Sequence, residues 1–175
     1  WVLARYERVH LVGFSLGGQF VLRTAGELGA DAPAGLRSVV GISAPLDLAE
    51  SSAFSERPDA FLYRRVIVRT LKQRFFRARP TLGPAWRSVS LREVATIRAF
   101  DAAVTAPVFG FRDVDDYYAR VSCGAVLERI DRPTLLLHAE DDPLVPVSAV
   151  RRLEARSIPK LTTVVTGRGG HVGFF

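Results

Sequence analysis

The sequence contains no methionine and a single cysteine, Cys123. One cysteine cannot form a disulfide within the chain, which excludes a disulfide framework and favours a reducing compartment. Uncharged apolar runs of about 18 residues, the length of a membrane span, are absent as well. Because the chain opens on Trp1, without an initiator methionine, we expect a fragment of a longer protein. The reducing compartment that the single cysteine favours is expected to be the cytoplasm.

Lysine is scarce, because Lys72 and Lys160 are the only lysines among the 24 basic residues, and the net charge is +6. A basic surface of this kind suits nucleic acid or anionic lipid. No base-reading element or stacking platform is recognisable, so we expect no nucleic-acid partner. No motif calls for a metal ion or a cofactor. With 48% hydrophobic residues among 175, the chain can bury the core of an ordinary domain.

Apolar runs alternate with helical segments at both ends of the chain. RVHLVGFS, from Arg8 to Ser15, predicts a buried strand, Gly17 to Leu28 predicts a helix, and LRSVVGISAP predicts a second strand. The same order returns later as the strand RPTLLLHAEDDP, the helix SAVRRLEARS and the strand KLTTVVTG. Strand, helix and strand with short connections indicate a parallel sheet with right-handed crossovers. We therefore predict an α/β fold.

Residues 47–127 differ from this pattern, with helical periodicity, many arginines and most of the aromatic residues. SLRE, Ser90 to Glu93, is typical of a capping box and predicts a helix running toward Asp101. The acidic stretch at Asp113 predicts another helix start. We interpret this segment as a helical cap or lid inserted into a sheet domain formed by residues 1–46 and 128–175.

The basic segment Phe61 to Pro80 predicts a helix with one apolar stripe, formed by Tyr63, Ile67, Leu71 and Phe75. Four interpretations are open. The helix is a lid whose aromatic side chains line an acyl pocket, a basic amphipathic surface that touches anionic membranes, a nucleic-acid patch, or a solvated face packed on the core. The missing base-reading element speaks against the nucleic-acid patch.

GFSLG, from Gly13 to Gly17, matches the G-x-S-x-G pattern of a nucleophile elbow, in which a sharp strand-to-helix turn exposes a serine. The match follows a predicted strand and opens a predicted helix, which is the context that the motif requires. Ser15 is therefore the candidate nucleophile, and the Leu16 N–H at the helix start is the candidate donor to an oxyanion. We expect a side chain at Gly13 or Gly17 to collide with the neighbouring strand or the turn.

A serine hydroxyl needs a base, and the chain offers three histidines. His10 lies inside the first strand, where packing or an edge position is the simplest interpretation. His138 ends a later strand, where it packs or supports other site residues. His171 follows the last strand in the glycine-rich stretch GRGGH, which lets the imidazole reach Ser15. His171 is therefore the candidate base.

The acid that orients the base is chosen among carboxylates that follow predicted strands. Glu140, Asp141 and Asp142 follow the third strand, and Asp47 follows the second. DPLVP resembles the acid turn common in enzymes with a serine nucleophile and a histidine base. The register of this turn selects Asp142. Asp141 remains the main competitor, because a shift of one residue would point the other carboxylate at the histidine.

The chain order Ser15, Asp142, His171 is the order that marks α/β-hydrolases among enzymes with this triad. A serine at the elbow, rather than an aspartate, indicates acyl transfer, most simply the hydrolysis of carboxylic esters. An acyltransferase with an acceptor other than water is an alternative, as is a non-catalytic binding protein on the same fold. Cys123 is interpreted as a small packed residue rather than a nucleophile.

Several longer phrases carry a more specific resemblance. They are VGFSLGG at Val12, ISAPLDL at Ile42, IRAFDAAVTAPVFGF into DVDDYYARVSC at Ile97 to Cys123, LLLHAEDDPLVP at Leu135, and GGHVGF at Gly169. In these phrases the chain resembles the YheT-like α/β-hydrolases, described as carboxylesterases or lipid hydrolases. The resemblance implies an α/β-hydrolase fold with about the last four strands of its parallel sheet, a helical lid, and an ester or lipid substrate. Its nucleophile, acid and base fall on Ser15, Asp142 and His171.

The chain departs from this group in length. Members have an additional N-terminal half, with the first strands and a His-Gly-rich turn that supplies a second oxyanion donor, and neither is present here. Loss of one such donor lowers the rate roughly 10²- to 10³-fold. VHLVGF would also remain as an unpaired apolar edge strand. We therefore expect these 175 residues alone to be poorly soluble and nearly inactive.

Overall fold

The protein contains one sheet of parallel strands. The computed structural model describes residue 2 and residues 4–174. The strands are β1 (Val9–Phe14), β2 (Leu36–Ile42), β3 (Thr134–Ala139) and β4 (Leu161–Thr166). They lie in the order β1-β2-β3-β4, and each neighbouring pair is parallel. All carboxyl ends therefore emerge at the same edge of the sheet, where α/β folds collect their functional residues. The four predicted strands are confirmed, but the burial predicted for β1 is wrong, because Gly13 alone among its six residues is buried in the described part of the chain.

The helices follow the order expected from the sequence. They are α1 (Leu16–Leu28), α2 (Leu48–Phe54), α3 (Phe61–Ala78), α4 (Ile97–Phe100), α5 (Ala106–Val108), α6 (Val114–Val121) and α7 (Val147–Glu154). A π-helical segment, Asp101–Thr105, joins α4 to α5. None of the helices in the described part of the chain is long and apolar enough to cross a membrane.

The first of two compact units contains the sheet and comprises Trp1–Ser51 and Val121–Phe175. Helix α1 packs on β1 and β2, and α7 packs on β3. Their apolar faces meet in one buried cluster that includes Leu22, Val39, Leu136 and Val150. The cluster holds the strand ends in fixed positions, so side chains placed just after those ends are positioned by a rigid core.

The second unit, Ser52–Arg120, is helical and has its own core, built from Phe75, Leu91, Phe100 and Val104. The division of the chain falls at 51/52 and 120/121, whereas the sequence suggested 46/47 and 127/128. Residues 121–127 belong to the sheet unit because they bind its loops: Leu48 N–H donates to Ser122 Oγ at 2.9 Å, and Gly124 N–H donates to the Leu46 carbonyl at 2.9 Å.

The helix predicted to begin at Ser90 begins instead at Ile97, so that prediction is wrong. The cap is Thr96, whose Oγ1 accepts a hydrogen bond from Ala99 N–H at 3.0 Å. Leu91, inside the apparent capping box, is buried in the core of the helical unit, and its burial outweighs the local capping signal. The helix start predicted at Asp113 is confirmed, since Asp113 Oδ1 accepts from Asp116 N–H at the beginning of α6.

Helix α3 forms where predicted, but its buried stripe is rotated. Val68 and Phe75 are buried and Leu71 is half-buried, whereas Tyr63, a member of the predicted stripe, is exposed. Residues spaced by four drift about 40° around a helix at each step, so a row of four such residues covers more than one face. The buried row follows the spacing i, i+3, i+7.

Strand β1 lies at one edge of the sheet in the part of the chain that the structure describes, as predicted. Its side chains Val12 and Phe14 are exposed, as is Phe20 on the following helix. An exposed apolar edge strand offers unpaired backbone groups and promotes aggregation. The low solubility expected of the isolated chain stays a prediction that rests on this edge.

Candidate active site

Ser15 occupies a strained turn between β1 and α1. Its backbone has φ 52° and ψ −125°, a conformation that a residue with a side chain rarely adopts and that costs on the order of 1–3 kcal/mol. Two backbone hydrogen bonds hold it there. Ser15 N–H donates to the Ile42 carbonyl at 2.8 Å, and the Ser15 carbonyl accepts from Gln19 N–H at 3.1 Å. The turn therefore presents the Ser15 side chain at the carboxyl edge of the sheet, as the elbow motif requires.

The two glycines that flank the turn have different roles. A Cβ on Gly13 would lie 2.1 Å from the Gly17 carbonyl oxygen, so no side chain fits there. A Cβ on Gly17 would have no described atom within 4 Å. The expectation that a side chain at either glycine would collide is therefore wrong for Gly17. Gly13 is the glycine that the turn requires, because the backbone of α1 begins directly above it.

We expect Gly13→Ala to lower the free energy of unfolding by about 3 kcal/mol or more, because the new methyl group forces the elbow backbone apart. Urea denaturation followed by circular dichroism measures this change. Gly17→Ala is the matched control and should change the free energy of unfolding by less than about 1 kcal/mol. Equal destabilisation by both substitutions would contradict the described geometry of the turn.

Three side chains from separate segments form one hydrogen-bonded row. His171 Nε2 lies 2.7 Å from Ser15 Oγ, and His171 Nδ1 lies 2.9 Å from Asp142 Oδ2. An ionised carboxylate only accepts hydrogen bonds, so Nδ1 carries the proton and donates it to Asp142. Nε2 then has a free lone pair and accepts the Ser15 hydroxyl proton. This is the tautomer that a general base needs.

The carboxylate of Asp142 is fixed from both sides. Its side chain is 0% exposed, and its Oδ1 accepts hydrogen bonds from Leu144 N–H at 2.8 Å and Val145 N–H at 3.0 Å. Oδ2 makes the shorter contact with His171 Nδ1, at 2.9 Å against 3.1 Å for Oδ1, and the His171 side chain is 17% exposed. Buried, fully hydrogen-bonded carboxylates keep their orientation, so the imidazole has one preferred position.

The other acidic candidates bind elsewhere. Asp141 Oδ1 accepts from Gly170 N–H at 2.8 Å, Glu140 pairs with Arg151, and Asp47 Oδ1 accepts from Glu50 N–H at the start of α2. The structure thus brings Asp142, not Asp141, to His171. Asp141 nevertheless holds the loop that carries the histidine, a contact that the sequence did not suggest.

Gly170 gives that loop its shape. Its φ of 55° lies in the left-handed region, which glycine adopts without strain. The loop closes through a hydrogen bond from Gly173 N–H to the Gly169 carbonyl at 2.8 Å. The turn after β4 therefore directs the His171 side chain back toward the serine.

The remaining histidines are placed differently. His10 Nδ1 lies 2.7 Å from Ser38 Oγ on the neighbouring strand. His138 is fully buried, and its Nε2–H donates to the Val145 carbonyl at 3.1 Å. Burial lowers the pKa of His138, which favours the neutral ring. His138 therefore supports the turn that carries Asp142, which agrees with one of the two roles suggested by its position at a strand end.

Ser43, which no catalytic motif in the sequence singles out, resembles Ser15 in position. Ser43 follows β2 as Ser15 follows β1, and it also has a positive φ, 49°. Its side chain is fully buried, and over residues 2 and 4–174 its Oγ has no hydrogen-bond partner, a histidine included. A strained serine after a parallel strand is therefore not by itself a reactive one.

Leu16 is the first residue of α1, so its N–H has no acceptor within the helix, as a donor to an oxyanion at Ser15 requires. Cys123 is buried, and burial raises the pKa of its thiol to about 12, which keeps it protonated.

Over residues 2 and 4–174, no group of three or more His, Cys, Asp or Glu side chains is placed to hold a metal ion.

Sequence comparison relates the chain to one protein family and to several named proteins. The model of a family described as "Alpha/beta hydrolase family" matches residues 1–175. The chain is 35% identical over 166 residues to the protein named "Putative esterase YheT" of Escherichia coli, covering 93% of the chain and 48% of that protein. It is 30% identical over 163 residues to phospholipase ABHD3 of Mus musculus, covering 93% of the chain and 39% of that protein.

A solved structure shares the fold. The esterase domain from a Rhodothermus marinus protein superposes with a TM-score of 0.53 at 21% identity, covering 99% of this chain and 56% of that one. The chain thus spans less than half the length of the curated relatives described above.

Proposed function

This chain belongs to the alpha/beta hydrolase family, and from that premise we propose that it provides the catalytic triad of a serine hydrolase that cleaves carboxylic esters. The observation that carries the proposal is the row Ser15, His171, Asp142, in which each polar atom meets a matching partner. The names of the relatives, an esterase and a phospholipase, support an ester or lipid substrate.

In the first half of the reaction, His171 Nε2 takes the proton from Ser15 as Oγ attacks the ester carbonyl. The carbonyl electrons move to the oxygen, which accepts a hydrogen bond from the Leu16 N–H. Asp142 stays ionised and stabilises the imidazolium that forms at His171. The tetrahedral intermediate collapses, His171 gives its proton to the leaving alcohol, and an acyl-serine remains.

In the second half, a water molecule enters and gives a proton to His171 Nε2 as its oxygen attacks the acyl carbonyl. The same Leu16 N–H stabilises the second oxyanion. Collapse releases the carboxylic acid and returns the proton to Ser15. The enzyme is regenerated with the His171 tautomer that it began with.

We expect the full-length protein to convert a carboxylic ester into equal amounts of alcohol and free acid. A panel of p-nitrophenyl esters and a monoacylglycerol, analysed by chromatography with glycerol present, measures both products and any transferred acyl group. Glycerol ester formed in place of free acid would favour an acyltransferase. Absence of turnover on every ester, with the protein folded, would contradict the proposal and favour a binding role.

A further inference from the structure

Helix α3 carries a charge that nothing in the described structure neutralises. Residues 60–92 contain nine basic and no acidic residues, and six of the basic residues lie on α3 itself. Arg65, Arg69 and Lys72 lie on one side of the helix and take part in none of the ion pairs found in residues 2 and 4–174. Their positive charge is therefore available to an external anion.

Apolar side chains lie among these cations. Leu62 and Val66, one turn apart, are 71% and 65% exposed, and Phe76 is exposed further along the same helix. Single exposed apolar residues are common, but a group of them on one helix marks an interaction surface. We name this group the α3 outer surface, and it consists of Leu62, Arg65, Val66, Arg69, Lys72 and Phe76.

A groove of about 560 Å³ runs beside this surface, within the helical unit. Val68 and Val94 give it apolar walls, and Arg65, Arg69 and Lys72 line it. Phe61 and Phe76, which also line it, are separated by 15 residues of helix, about 22 Å. An apolar groove beside several cations suits a molecule with an anionic head and an apolar chain.

We propose that the α3 outer surface docks on membranes that contain anionic phospholipid. The cations would meet the lipid phosphates while Leu62 and Val66 enter the interface between headgroups and acyl chains, as in amphipathic helices that lie on a bilayer. A nucleic acid would also satisfy the cations, but it offers nothing to the exposed Leu62 and Val66 side chains. The combination of both features favours lipid.

The proposal is tested by sedimentation of the full-length protein with vesicles of phosphatidylcholine alone or with 30 mol% phosphatidylglycerol, about a third. We expect binding only to the anionic vesicles, weakened by salt. Arg65→Gln/Arg69→Gln/Lys72→Gln should weaken binding about a hundredfold, because each cation near an anionic surface contributes about a fivefold factor. Leu62→Ser/Val66→Ser should weaken it about tenfold.

The matched control is Arg8→Gln/Arg37→Gln/Lys160→Gln. Like the test variant it removes two arginines and one lysine, but from exposed positions of the sheet unit. It should bind within about twofold of the original protein, and Ser15→Ala should bind equally well, because docking is independent of ester cleavage. Three results would each overturn the proposal. They are equal losses in both triple variants, no binding to anionic vesicles, and tighter binding to a DNA duplex that Leu62→Ser/Val66→Ser does not change.

Discussion

Ser15→Ala is expected to lower kcat for ester hydrolysis roughly 10⁴- to 10⁶-fold. The substitution removes the hydroxyl that faces His171 Nε2 at 2.7 Å and leaves the base with nothing to activate except water. Residual activity would come from the remaining donors and from substrate binding. Rates are measured with a p-nitrophenyl ester under saturating conditions. Circular dichroism confirms that the variant is folded.

Ser43→Ala is the control for Ser15→Ala. Ser43 also has a positive φ, 49° against 52° for Ser15, and follows the adjacent strand, but its hydroxyl is buried and has no hydrogen-bond partner in the described part of the chain. We expect Ser43→Ala to keep kcat within about tenfold. His171→Ala should reduce kcat about as much as Ser15→Ala, and the double variant should lose little more, because the two residues act as a unit. Additive losses would contradict the shared role.

Asp142→Asn is the second large effect, and we expect it to lower kcat on the order of 10³- to 10⁴-fold. Leu144 and Val145 N–H groups bind Oδ1, so an asparagine would keep its carbonyl oxygen there and turn its amide nitrogen toward His171. That nitrogen donates to Nδ1, which forces the ring proton onto Nε2. A protonated Nε2 on a neutral ring has no lone pair for the Ser15 proton, and the base is lost while the fold is kept.

Asp141→Asn is the matched variant, one residue away. Asp141 accepts a hydrogen bond from Gly170 N–H, and an asparagine carbonyl oxygen can accept the same bond. We expect a loss of kcat of less than about tenfold. If Asp141→Asn were the more damaging substitution, the acid would be assigned to the wrong carboxylate.

Local patterns in the sequence predict the strands and the elbow well, because each is decided by neighbouring residues. Gly13 is required by the carbonyl of Gly17, four residues ahead of it, and the apolar runs rich in Leu, Val and Ile form strands where the sequence predicts them. The DPLVP turn favours Asp142 over Asp141 as the acid. The contacts that distinguish the two carboxylates are made with Gly170 and His171, nearly 30 residues away.

Features decided by distant packing could not be predicted. Gly17 meets open space because of where the strands and α1 lie, and a helix expected at Ser90 is displaced to Ile97 because Leu91 enters the core of the helical unit. The roles of His138 and Ser43 depend on partners, or the lack of them, across a folded turn. No spacing in the sequence encodes those contacts.

The most direct test of the central claim, that His171 and Asp142 activate Ser15 as a nucleophile, is reaction of the full-length protein with a fluorophosphonate probe. The probe phosphonylates only an activated serine, and peptide mass spectrometry locates the modified residue. We predict a single modification, on Ser15, that disappears in Ser15→Ala and is strongly slowed in His171→Ala and Asp142→Asn. A folded protein that remains unmodified, or one labelled at Ser43 or another serine, would contradict the claim.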